Sequence, residues 1–150
     1  MKRGQLLGEC IKLMVNAHAS QFDRGGKPYC LHPLKVMHYL KSDDEELQCM
    51  ALLHDVIEDT DTSYQDLIAI GCTERVIAGV KALTKQPGQT YEEYKAAVMA
   101  NPDAMRVKMA DLRHNSDIRR LKGVTEKDIA RMAKYNQFYM EIYSKLQESE

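Results

Sequence analysis

The chain has no tryptophan and only two phenylalanines, so large aromatic rings cannot dominate its core. Eight glycines and four prolines leave few places for the many tight turns of a sandwich or barrel. Valine, isoleucine and threonine, the strand-favouring β-branched types, number only 22 of 150. No apolar run approaches the roughly 20 residues that cross a bilayer. The opening MKRGQLLGECIKLMVNAHAS lacks the long apolar stretch and small-residue cleavage site of a secretory signal. Four cysteines (Cys10, Cys30, Cys49, Cys72) make no C-x-x-C pair and sit in apolar contexts. They read as reduced core thiols of a cytoplasmic protein, not a disulfide frame or zinc knuckle. Charge of neither sign prevails: the net is −1, which gives no global attraction to nucleic acid.

What is present points to helices. Ala, Leu, Met, Lys, Glu, Gln and Arg, the strong helix formers, supply 76 of the 150 residues. With 44% hydrophobic residues the chain can bury a core, and its length fits one domain. Turn and cap signals divide it into seven to eight helices near 4–20, 32–41, 46–58, 63–71, 73–84, 91–99, 102–122 and 125–145. His32-Pro33 reads as an N-cap with proline behind it, and Ser42–Glu45 and Thr62–Gln65 read as capping boxes. Val76–Leu83 is apolar enough for a strand, but its flanks favour a buried helix. The expectation is therefore an all-α single domain.

One stretch breaks the pattern of apolar helix faces. ALLHDVIEDTDT (51–62) places His54, Asp55, Glu58 and Asp59 in a segment that Leu52, Leu53, Val56 and Ile57 would bury. On a continuous helix His54 and Glu58 share a face, as do Asp55 and Asp59. Burying titratable groups costs several kcal/mol each unless they are paired or bind metal. The plainer alternative is a solvated, fraying helix end. Two other acids or imidazoles sit in apolar runs: His32 in PYCLHPL, otherwise a simple cap, and Asp111 in VKMADLRHN, otherwise a partner for Lys108. Together His32, His54, Asp55 and Asp111 form a two-imidazole, two-carboxylate set. Such a set suits a divalent metal such as Mn²⁺, with Fe²⁺ or Zn²⁺ as alternatives.

Three ordered runs, RGGKPYCLHPL (24–34), LLHDVIEDT (52–60) and VKMADLRHN (107–115), resemble the motifs of HD-domain phosphohydrolases. The match is to the hydrolase domain of RelA/SpoT-type (p)ppGpp pyrophosphohydrolases, in a small stand-alone form, and runs from about His18 to Ile118. The resemblance implies a helical HD-domain bundle filling 1–150, without the synthetase and regulatory domains of the large members. It implies removal of the 3′-pyrophosphate of guanosine tetra- or pentaphosphate by a metal-activated water. Glu58 and Asp59 would be the catalytic acids. Arg24, Lys27, Lys108 and Asn115 would contact the nucleotide, and His18 and Gln21 would support the Arg24 loop. The implied partner is a small nucleotide, not nucleic acid or membrane, with a homo-oligomer left open. One departure stands out: the family's D-R-L-H-N is D-L-R-H-N here, so Leu112 and Arg113 exchange places. A different nucleotide substrate, or a non-catalytic nucleotide-binding module, are the alternative readings. Arg119, Arg120 and Lys122 read as cations closing a long helix. Tyr135, Tyr139 and Tyr143 read as a core or interface stripe.

Overall fold

The computed structural model describes residues 1–148. Among the described residues nine α-helices follow one another: α1 (Gln5–Ala17), α2 (Leu31–Tyr39), α3 (Glu45–Leu53), α4 (Val56–Asp59), α5 (Tyr64–Ala69), α6 (Glu74–Leu83), α7 (Tyr91–Met99), α8 (Pro102–Asn115) and α9 (Glu126–Glu148). A 3₁₀ turn, Ile118–Arg120, lies between α8 and α9. The only β feature among the described residues is an isolated antiparallel bridge, Phe22 to Pro28. No helix among them is long and apolar enough to cross a membrane. Seven to eight helices were expected; the ninth arises because the helix expected over 46–58 divides into α3 and α4.

The middle of the molecule is α3. Six of its nine residues, Leu47, Cys49, Met50, Ala51, Leu52 and Leu53, are buried, as expected of a helix that is apolar nearly all round. It packs on α1, α2, α6 and α8. Helix α8 is the second hub, lying against α2, α6, α7 and α9 as well. Apolar residues at helical spacing close this core: Leu6, Cys10 and Met14 from α1, Val76 and Val80 from α6, Phe138 and Ile142 from α9. Gly79 lets α6 approach α3, since a Cβ there would collide with the Met50 side chain. Three of the four free cysteines are buried, as their apolar contexts suggest.

The helix ends follow local chemistry. Asp44 caps α3 by accepting from the Leu47 N–H, 3.2 Å away, while Ser42 accepts from Asp44. Thr73 and Asn101 cap α6 and α8 in the same way, with Pro102 opening α8. Capping boxes form at Ser63–Asp66 and Thr90–Glu93. Three expected starts shift: α2 begins at Leu31, so His32 lies inside its first turn, Asp44 rather than Ser42 is the cap of α3, and Ser63 rather than Thr62 is the cap of α5.

Two expected helices end early, and both ends matter below. Helix α3 stops before His54 because the imidazole Nδ1–H donates to the Ala51 carbonyl at 2.6 Å. Asp55 then takes φ −110° and ψ −5°, close to the bridge region where site residues often lie. Helix α8 stops at Asn115 instead of running to 122. The Asp117 carboxylate accepts from the Arg119 N–H at 3.0 Å and starts the 3₁₀ turn instead.

Two consequences can be measured. Arg75 joins Asp44, Glu46 and Asp103, and so ties the starts of α3 and α8 to α6. The Arg75 guanidinium is the main cause of the Asp44 carboxyl lying below its ordinary value. A lowered carboxyl stabilises the fold above its unfolded value and ceases to do so as pH falls through its folded value. Arg75→Ala should cost at most about 1 kcal/mol at pH 7, because the contact is largely exposed. The difference from wild type should shrink in urea titrations below about pH 4. Gly25 lies so close to the Arg120 carbonyl that a Cβ would collide with backbone. Gly25→Ala should therefore lower stability by about 1–3 kcal/mol, with faster amide exchange at 118–121.

Candidate active site

Three chain segments bring their polar groups to one buried point. His32 arrives from the first turn of α2, His54 and Asp55 from the break between α3 and α4, and Asp111 from the middle of α8. His32, His54 and Asp111 are 2%, 3% and 4% exposed. His32 Nε2 lies 2.8 Å from Asp111 Oδ1, and His54 Nε2 lies 3.2 Å from the same oxygen. His54 Nε2 is 3.0 Å from Asp55 Oδ2, and His32 Nε2 is 3.9 Å from it. All four donor atoms fall within 4.8 Å of one another.

This donor set fits a divalent cation. Nitrogen and oxygen donors bound at roughly 2.0–2.2 Å lie about 3 Å from their nearest neighbours, the spacing seen here. Two carboxylates, Asp111 buried and Asp55 half-buried, also demand positive charge. Burial alone would raise Asp55, yet the His54 ring beside it holds it at about 2. Burial would likewise raise Asp111, but Lys108, His32 and His54 hold it well below the carboxylate range. Burial opposes charge on His54, and Asp55 and Asp111 override it and raise the ring well above its ordinary value. The cluster therefore attracts protons or a cation to the same place.

A second layer fixes these groups. The Ala51 carbonyl holds His54 Nδ1, which aims Nε2 inward. His32 Nδ1 meets His114 Nδ1 at 2.7 Å, and the two rings stack with centroids 5.0 Å apart. Burial and the Arg120 charge push His114 down to about 4, so its ring is neutral near pH 7. Tyr29 Oη donates to Asp55 Oδ2 at 2.5 Å. Asn115 Nδ2 and Lys108 Nζ each donate to Asp111 at 3.0 Å.

The other expected residues are distributed differently. Asp59 follows the cluster on α4. Partial burial, then the charges of Asp55 and Glu58, push its carboxyl up to about 6. Its carbonyl accepts from Gln21 Nε2 at 2.8 Å, and His18 Nδ1 pairs with Gln21 Oε1 at 2.7 Å. His18 and Gln21 thus brace α4 as well as the loop that precedes α2. Glu58 does not share a face with His54, contrary to expectation. It is exposed and accepts from the Lys85 N–H at 2.8 Å. Arg24 lines a pocket of about 250 Å³ with Tyr29, Asn115, Arg120, Arg131 and Tyr135. Lys27 lies on an adjoining groove with His32 and His114. Lys108 is tied to Asp111, the plainer of its two expected partners.

Sequence reasoning passed over several residues that the fold brings here. Tyr29 and His114 lie inside the runs 24–34 and 107–115, where the sequence alone gives them no role. Arg120 was read as a helix-closing cation, which the early end of α8 corrects. It folds back to donate to Asn115 Oδ1 at 3.0 Å and lies 3.4 Å from Asp23. Arg131 and Tyr135, four apart on α9, carried no local signal for a pocket. Arg113 points elsewhere, its guanidinium 4.0 Å from the Tyr39 ring centroid.

No family model matches the chain. Individual proteins do. It is 34% identical over 137 residues to the guanosine-3′,5′-bis(diphosphate) 3′-pyrophosphohydrolase of Aquifex aeolicus, covering 86% of this chain and 19% of the relative. To the bifunctional (p)ppGpp synthase/hydrolase SpoT of Escherichia coli it is 34% identical over 144 residues, covering 87% and 20%. The chain thus spans about a fifth of these long relatives. The Danio rerio enzyme MESH1, also named a guanosine-3′,5′-bis(diphosphate) 3′-pyrophosphohydrolase, is 33% identical over 121 residues, covering 73% of this chain and 67% of the relative. A solved structure described as a metazoan ortholog of SpoT that hydrolyses ppGpp has the same fold. Its TM-score is 0.75 at 24% identity, over 95% of this chain and 92% of that one. With the same helical fold and a relative matched over two thirds of its length, the chain belongs to the SpoT-type guanosine-3′,5′-bis(diphosphate) 3′-pyrophosphohydrolase family.

Proposed function

We propose that this chain is a single metal-dependent hydrolase domain that removes the 3′-pyrophosphate of (p)ppGpp. The observation that carries the reading is the convergence of His32, His54, Asp55 and Asp111 beside a pocket lined by Arg24, Arg120 and Arg131. Those four residues would hold the metal, and manganese is our assignment because mixed imidazole and carboxylate donors suit it. When bound, the divalent ion would supply charge neutralisation at phosphorus and an acidified water.

The remaining steps belong to the protein. Asp59, with a carboxyl near 6, is ionised at pH 7 and close enough to neutrality to take a proton from water. Glu58 assists by its charge, which raises the proton affinity of Asp59. The water oxygen joins the phosphorus attached to the ribose 3′-oxygen; that oxygen leaves and takes up a proton, giving a guanosine nucleotide and pyrophosphate. Arg24 and Arg131 bind the phosphates or the base from the pocket wall, where planar guanidinium groups do both. Asn115 and Lys108 act on Asp111 from the protein side, and Lys27 meets outer phosphates from the groove. Four free cysteines fit a cytoplasmic setting, and the near-balanced charge fits a small nucleotide rather than nucleic acid.

The exchange of Leu112 and Arg113 does not deprive the pocket of positive charge. Leu112 is buried in the core, Arg113 faces away, and Arg120 stands beside Asn115.

Manganese at about a hundred times its dissociation constant should stabilise the fold by about 2.7 kcal/mol, read as a rise in Tm. Asp55→Ala should abolish that rise. Manganese-loaded protein should release pyrophosphate from ppGpp, followed by phosphorus NMR. Release from other nucleotides but not from ppGpp would reassign the substrate, and no release from any would leave a binding module. Asp59→Asn should reduce kcat by roughly 10²–10⁴ while keeping the manganese-induced rise in Tm.

A further inference from the structure

Helix α8 carries a second set of functional-looking residues on its other side. At about 100° per residue, Lys108, Asp111 and Asn115 share the face turned to the metal cluster. Arg106 and Arg113, seven residues apart, share a face about 140–160° round from Asp111. That face borders a separate pocket of about 410 Å³, within the size range of small-molecule sites.

The lining of this pocket is chemically one-sided. It holds three cations, Lys41, Arg106 and Arg113, and no carboxylate. All three side chains are exposed, and none makes an ion pair among the described residues. Two tyrosine rings, Tyr39 and Tyr139, complete the lining. Tyr39 bears the Arg113 guanidinium at 4.0 Å from its centroid and so holds that arginine at the pocket wall. Lys41 is the one non-glycine residue with positive φ, +50°, among the described residues. It follows Leu40, the C-cap of α2, and its left-handed backbone ends that helix.

Three cations with no acidic partner, beside two aromatic rings, match a ligand with several phosphates and a flat base. We infer that the Tyr39–Arg106–Arg113 pocket is a second nucleotide site, which takes a nucleoside polyphosphate on the side of α8 opposite the metal cluster. The inference does not depend on the substrate assigned to the first site.

The test is a titration of the isotopically labelled full chain with GTP, following the Arg106 and Arg113 Nε–H signals by NMR. Both should shift and saturate with Kd below about 1 mM. The double variant Arg106→Glu, Arg113→Glu should weaken that binding at least about tenfold, with the Arg24 and Tyr135 responses unchanged. Arg106→Gln, Arg113→Gln gives the same reading if charge reversal disturbs folding, and unchanged Tm certifies either variant. Pyrophosphate should bind there at least about tenfold more weakly than GTP, since it cannot stack. Unmoved arginine signals at saturating GTP would overturn the proposal. So would wild-type affinity in the double variants, or equal affinity for pyrophosphate.

Discussion

Two carboxylates, Asp111 buried and Asp55 half-buried, set the conditions that the surrounding structure meets. An unpaired buried carboxylate costs several kcal/mol, a large share of the 5–15 kcal/mol net stability typical of a domain. Asp111 answers this with four partners: His32, His54, Lys108 and Asn115. Asp55 answers it with Tyr29 and His54. Those partners come from α2, the α3–α4 break, α8 and the loop before α2. None of these elements can slide by a turn without stranding a charge. The apolar core fixes which helices pack, and the carboxylates fix their register. The same arrangement leaves excess negative charge where the rings converge, so stability and cation affinity have one cause.

The backbone yields to this centre at two places. A helix continued through His54 would keep Ala51 within the backbone ladder. Instead the imidazole takes that carbonyl, and the turn swings Asp55 toward Tyr29 while α4 restarts beyond it. At the end of α8, Asp117 caps a 3₁₀ turn rather than letting the helix run on. The chain then returns Arg120 to Asn115 and Asp23. Each break exchanges a regular backbone bond for a side-chain bond that aims a site residue.

These breaks mark the limit of what the sequence discloses. Caps and periodicity locate the helices because their causes lie within four residues, as at Thr73, Thr90 and Asn101. The four donors are legible because acids and imidazoles in apolar runs need a reason to be there. Arg120, Arg131 and Tyr135 were not legible, because nothing within a few residues of them signals a pocket. Their placement depends on where α8 stops and how α9 returns across it. Glu58 shows the converse error: helical spacing put it beside His54, and the break at Asp55 turned it to the Lys85 amide.

Helix α8 joins these observations. Its inward face must present Asp111 and Asn115, while Ala104, Met105, Val107, Ala110 and Leu112 are committed to the core. The positions left over include 106 and 113. The Leu112–Arg113 order follows from this: with Leu112 buried at 1% exposure, Arg113 is carried to the outer side and onto Tyr39. Tyr39 in turn lies edge-on to His114, 6.0 Å between centroids, and His114 stacks on His32. A continuous line of packed rings therefore runs from the outer arginine to an inner donor. Any movement of Tyr39 would be felt first at the histidine that orients His32.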